Sequence, residues 1–127
     1  MQEKHLFEYA VIRVVPRVER EEFLNIGVIL YCARLKYLQL MYTLDTEKLA
    51  AFYPKLDIAG LAQHLMAFEA ITKGSKDGGP IAQLDLANRF RWLTATRSTI
   101  LQSSKVHPGL CADPAAALQR LHATLVL

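Results

Sequence analysis

Three stretches near the start of the chain have the texture of strands. Phe7 to Val15 is rich in aromatic and β-branched residues, and Pro16, which cannot donate to a ladder, ends it. Leu24 to Ala33 is apolar almost throughout, as a central strand should be. Lys36 to Leu44 alternates, with Leu38, Leu40, Tyr42 and Leu44 on one side and Tyr37, Gln39, Met41 and Thr43 on the other. The connection Ala33-Arg34-Leu35 is short, which favours antiparallel pairing. Arg17 to Glu22 is charged and reads as a loop or a single helical turn.

The apolar period then lengthens to that of helices. Asp45 is placed to cap a short helix running to Tyr53, stopped by Pro54. Asp57 caps a longer one, with Ile58, Leu61, Leu65, Phe68 and Ile71 at helical spacing. Lys73 to Pro80 is a flexible loop, too short to link domains. Asp85 caps a third helix that carries Leu86, Phe90 and Leu93 on one face. Arg97 to Val106 reads as a fourth strand, followed by a Pro108-Gly109 turn. Asp113-Pro114 opens a last helix, with the cap at the aspartate and proline at the first helical position. Leu118, Leu121 and Leu125 form its stripe.

A run of strands followed by helices predicts an α+β domain over residues 1–127. The expected architecture is a mostly antiparallel four-stranded sheet with helices on one face. Sorting by parity puts Ala10, Ile12, Val14, Ile26, Val28, Leu30, Cys32, Leu38, Leu40, Tyr42 and Leu44 on the covered face. The other face then mixes Tyr9, Val11, Arg13, Val15, Asn25, Gly27, Ile29, Tyr31, Tyr37, Gln39, Met41 and Thr43.

Composition narrows the classes. Of 127 residues, 52% are apolar, enough to offset chain entropy and exclude intrinsic disorder. Two cysteines exclude a disulfide-built miniprotein, and both are expected as free thiols. No run approaches the roughly 20 apolar residues of a membrane span, and the first residues lack a signal-type apolar run. A cytoplasmic location is expected. Fifteen basic and twelve acidic residues leave +3, with no dense basic run, which argues against nucleic acid as a partner.

Chemistry has two natural places. Arg13 sits between Ile12 and Val14, where a cation needs acceptors or water. Its guanidinium suits a carboxylate or another oxyanion, and a structural ion pair with Glu21 or Glu22 is the plain alternative. If the first two strands pair, Arg13 lies near Asn25. The second place is Arg97 to Cys111, where Arg97, Ser98, Thr99 and His107 combine a cation, hydroxyls and an imidazole. Its alternative is a polar edge strand that resists edge-to-edge pairing. Arg13 and Arg97 are expected to share one anion-accepting site with Asn25 and Thr99. His107 with Cys111 lacks a third orienting residue, so no catalytic set is assigned. No cysteine or histidine pair has metal-ligand spacing, and no cofactor motif is present.

Tyr9 to Leu30, with its charged Arg17-Val18-Glu19-Arg20-Glu21-Glu22 centre, resembles the N-terminal signature of the bacterial domain-of-unknown-function family 3037. Phe90-Arg91-Trp92-Leu93, Arg97-Ser98-Thr99, His107, Gly109-Leu110-Cys111 and Asp113-Pro114 resemble its C-terminal signature. The resemblance spans essentially the whole chain. It implies a bacterial cytoplasmic protein and no particular activity. It also implies gene neighbours coding for kinase-like proteins of the HipA type, and hence an accessory role.

Three function classes follow. The first is an interaction module, meeting a protein partner or a second copy of itself through the mixed face, with Tyr9, Ile29, Tyr31, Tyr37 and Met41 at its centre. The second is a domain or enzyme that takes a small anionic or phosphate ligand at Arg13, Asn25, Arg97, Ser98, Thr99 and His107. The third is a nucleic-acid binder that stacks bases on sheet aromatics.

Overall fold

The computed structural model describes residues 3–97 and 99–127. One long strand, β1 (His5–Val14), organises the sheet. On one side it pairs with β2 (Leu24–Cys32), which pairs in turn with β3 (Tyr37–Tyr42). Two short strands share the other side. β4 (Leu101–Ser103) lies along the end of β1, and β5 (His107–Cys111) along its beginning. All four pairings are antiparallel. Where β4 gives way to β5, the Ser104 hydroxyl accepts the Val11 N–H at 2.8 Å, and the Ser104 N–H donates to the Val11 carbonyl at 2.8 Å. The polar segment thus completes the ladder that the break would leave open.

The helices start where their aspartates place them. α1 (Thr46–Phe52), α2 (Ile58–Lys73), α4 (Leu86–Leu93) and α5 (Pro114–Leu125) are capped by Asp45, Asp57, Asp85 and Asp113. Each carboxylate accepts a first-turn backbone N–H, so a donor that would otherwise be orphaned is satisfied. Gly74 ends α2 at φ +68°, and the segment read as a flexible loop holds a short turn, Lys76–Gly78, and α3 (Gly79–Ala82).

The α+β class and the antiparallel sheet follow the sequence reading, but three particulars differ. First, the fourth strand expected over Arg97–Val106 forms only at Leu101–Ser103, and β5, expected as a turn, makes the sheet five-stranded. Pro108 and Gly109 instead pair with Glu8 and Phe7. Proline is tolerated because β5 lies at the sheet edge, and Gly109 sits under the Phe7 ring, which any side chain would strike. Second, helices cover both faces. α2 and α4 bury Leu61, Leu65, Phe68, Phe90 and Leu93 against Ala10, Ile12, Val14, Ile26 and Ile29. α5 buries Ala117 and Leu118 on the opposite face, against Phe7, Val28, Leu30, Cys32 and Cys111.

Third, the sorting of β2 by parity fails. Arg13 opposes Asn25 while Ile12 opposes Gly27, so Ile26 is an extra residue on β2. This bulge puts Ile26 on the same face as Ile29, and leaves Val28, Leu30 and Cys32 on the other. Gly27 marks the place: a Cβ there would lie 2.9 Å from the Tyr42 Cβ. The mixed face expected to be an open interaction surface therefore does not exist in that form. Ile29 is buried under α2 and α4, Tyr31 stacks on Phe90 with ring centroids 5.3 Å apart, and α5 packs on Tyr9, Tyr37 and Met41.

Candidate functional site

The sheet separates the two arginines. Ile12 and Val14 point to the α2–α4 face, so Arg13 points to the other. Arg97 lies among the helices of the first face. Its guanidinium sits 4.1 Å from the Trp92 ring centroid and 5.6 Å from that of Phe68. It donates to the carbonyl oxygens of Trp92 and Leu93 at the end of α4, where helix carbonyls lack partners and the macrodipole favours a cation. Burial pulls the Arg97 pKa below its ordinary value. This arginine closes a helix, and both of its terminal nitrogens donate to carbonyls. The shared site expected for Arg13 and Arg97 is not formed, because they lie on opposite sides of one sheet.

Asn25 is the cross-strand partner of Arg13, as the pairing of the first two strands implied, while the other expected members disperse. The Asn25 side-chain amide donates to the Leu125 carbonyl at 3.2 Å, tying β2 to the end of α5. The Thr99 hydroxyl donates to the Leu101 carbonyl at 2.7 Å, within the turn that leads into β4. His107 is exposed and packs at a tilt against Tyr9, its cross-strand partner, with centroids 5.4 Å apart. Ser98 lies outside the described residues. Both cysteines are free and buried against α5. Burial first, and then the neighbouring Cys32, push the Cys111 thiol above its ordinary pKa, the opposite of what a nucleophile needs.

Arg13 is arranged differently. Its guanidinium lies 4.0 Å from the centroid of the Phe23 ring, a cation–π contact with a side chain that is 47% exposed. It forms no ion pair among the described residues, and its Nε is buried with no acceptor. Burial alone lowers its pKa. The expected pairing with Glu21 or Glu22 is absent, since Glu22 accepts from Arg20 at 2.5 Å. Gln102 on β4 lies directly opposite Arg13, and its amide donates to the Thr99 carbonyl at 2.8 Å.

These groups border a cleft of about 320 Å³ at the end of the sheet, lined by Arg13, Val15, Val18, Glu21, Glu22, Phe23 and Gln102. The β1–β2 connection forms its rim through a single helical turn, Val18–Arg20. Glu21 closes that turn at φ 56°, its N–H donating to the Val18 carbonyl at 3.1 Å. The left-handed conformation is unfavourable for a residue with a Cβ, by roughly 1–2 kcal/mol. Val18 and Phe23, both about half exposed, form the apolar part of the rim. Sequence reading had isolated Arg13 but not Phe23 or Gln102. A large aromatic directly after Glu21-Glu22, on the entry to an otherwise buried strand, was the available signal.

Chemically the cleft offers guanidinium donors without a full set of acceptors, beside apolar surface and two carboxylates. Among the described residues no group of His, Cys, Asp and Glu is placed to hold a metal ion, and no helix is long and apolar enough to cross a membrane.

The class is thus an α+β domain, an antiparallel sheet held between α2–α4 and α5, with a half-buried arginine in a cleft at one end. Residues 9–126 match the family model described as protein of unknown function (DUF3037), and the chain belongs to that family. No curated protein and no solved structure matches the chain.

Proposed function

We propose that this protein is a binding module that engages a partner protein through the cleft at the end of its sheet, with the Arg13 guanidinium receiving an anionic group. The observation that carries this reading is that the Arg13 guanidinium borders the cleft and makes no ion pair among the described residues. The surrounding chemistry supports it. Arginine and aromatic side chains in a partly desolvated setting are the groups that dominate binding energy at interfaces, and Phe23 and Val18 add exposed apolar surface beside the charge. A kinase-like protein of the HipA type is the partner class to try first, in keeping with the family resemblance.

The test is anion-dependent thermal stability. Acetate or phosphate, titrated against a chloride control, is expected to raise the melting temperature of the parent protein. Arg13→Ala should abolish the rise, and Arg13→Lys should keep part of it, since lysine retains the charge but loses the planar fork. Equal stabilisation of the parent and Arg13→Ala would overturn the reading.

A further inference from the structure

We propose that the outer edge of β3 pairs antiparallel with the β3 edge of a second copy of this chain, joining two sheets into one across a two-fold axis. This edge lies on the far side of the sheet from β4, whose Gln102 borders the Arg13 cleft, so the pairing stands apart from the reading of that cleft.

The backbone leaves the edge open. β3 is the outermost strand and pairs with β2 along one side only. The Thr43 N–H donates to the Ile26 carbonyl at 2.8 Å, and this fixes the alternation along the strand. Tyr37, Gln39 and Met41 turn their backbone groups toward β2, and Leu38, Leu40 and Tyr42 turn theirs outward. Among the described residues, none of the outward groups has a backbone partner.

Edges of this kind are normally blunted by charge, proline, a bulge or shortness. The opposite edge is blunted: β4 and β5 are short, they are separated at Ser104, and β5 carries Pro108. β3 has none of these devices. Tyr37 to Leu44 contains no charged residue and no proline, and its register against β2 is unbroken.

Charge and symmetry select a second copy as the occupant. Arg34 and Lys36 stand before β3; Asp45 and Glu47 stand after it, with Lys48 the one base beside them. Antiparallel pairing about a two-fold axis sets the basic end of each copy beside the acidic end of the other, whereas parallel pairing would bring like charges together. Lys36 and Asp45 form no ion pair within the chain among the described residues. A pairing centred on Leu40 puts Leu38 opposite Tyr42 of the second copy, so every outward N–H and carbonyl of β3 finds a partner. The flank suits such a neighbour. Met66 on α2 is 67% exposed and shares a shallow depression with Tyr42, where Glu69 and Lys73 neutralise each other at 2.9 Å. Because the other edge is blunted, the contact closes as a pair and does not extend into a fibre.

Sedimentation equilibrium tests this, with twice the chain mass expected for the parent. Leu40→Pro removes an outward N–H and no bond to β2, so it should give a monomer with the circular dichroism of the parent. Gln39→Lys changes an exposed side chain and sets like charges diagonally across the axis. It should weaken the dimer several-fold at low salt and less at high salt, and it carries the test if Leu40→Pro does not fold. Leu40→Cys should cross-link the two copies under mild oxidation, because facing Cα atoms about 5.5 Å apart lie within disulfide range. Lys36→Cys, at the far end of the strand, should not. A monomeric parent, a dimer that neither Leu40→Pro nor Gln39→Lys weakens, or cross-linking through Lys36→Cys but not Leu40→Cys would overturn the proposal. A monomer that binds a β-forming peptide, and loses it with Leu40→Pro, would assign the edge to a foreign strand and overturn the second copy as its occupant.

Discussion

Arg13 and Arg97 are chemically identical side chains, each half-buried and each resting on an aromatic ring, yet the fold treats them in opposite ways. Arg97 is pinned between Trp92 and Phe68, and its donors reach carbonyls at the end of α4. It supplies what a helix C-terminus lacks. Arg13 rests on one exposed ring, and its Nε has no acceptor. The difference lies in what surrounds each backbone position. Arg97 follows a helix end that presents free carbonyls, whereas the backbone groups around Arg13 are consumed by pairing with β2 and β4. A cation within a saturated ladder must find its acceptor elsewhere. One arginine is therefore a structural fastener, while the other borders a cleft with no ion pair among the described residues.

The comparison breaks most sharply on removal of the fastener. Arg97→Ala should destabilise the fold by about 2–3 kcal/mol, through lost hydrogen bonds to helix carbonyls and lost cation–π stacking. Chemical denaturation measures this, and a loss below about 0.5 kcal/mol would show that Arg97 is not fastening α4. Next in size is the cap of α5, the helix that covers Arg13's face of the sheet. Asp113→Ala should cost about 1 kcal/mol, because the Asp113 carboxylate satisfies the Ala115 N–H. Smallest is Arg13→Met. It should change stability by less than about 0.5 kcal/mol in either direction, since the lost cation–π contact is offset by removal of an unpaired buried donor. A large loss there would mean that Arg13 is a second fastener and would remove the basis of the comparison.

The buried thiol beneath α5 adds a pH test on Arg13's side of the sheet. Cys111 has a raised pKa in the fold, chiefly from burial. Its contribution to stability is fully present below the ordinary thiol pKa of about 8.5 and is lost as pH rises through the raised folded value, because the unfolded chain ionises first. Denaturation midpoints of the parent should therefore fall on the alkaline side more steeply than those of Cys111→Ala. Parallel curves would mean that the thiol does not feel the burial that α5 imposes. Slow labelling of native Cys111 near neutral pH is expected for the same reason.

How far the sequence spoke can be followed residue by residue. The four helix starts were legible because Asp45, Asp57, Asp85 and Asp113 act locally, through N–H groups two or three residues away. The three long strands were legible because period and β-branched content are local as well. Arg13 was legible as an anomaly, a charge where an apolar residue is ordinary.

What the chain could not disclose by itself depended on partners distant in sequence. The bulge at Ile26 exchanges the faces of Val28, Leu30 and Cys32, and it is defined by the register against β1, with only Gly27 as a local trace. β5 is a strand because Phe7 and Glu8 lie opposite Gly109 and Pro108, about a hundred residues away, and that pairing overrode the turn chemistry of Pro-Gly. The separation of Arg13 from Arg97 is of the same kind. Each arginine's surroundings were plausible in isolation, but only the packing of α2 and α4 on one face and α5 on the other decided which side each would reach. Capping and periodicity act over a few residues and are written in the chain. Register, face and acceptor supply arise from long-range contacts, so they became definite only when the sheet closed between its helices.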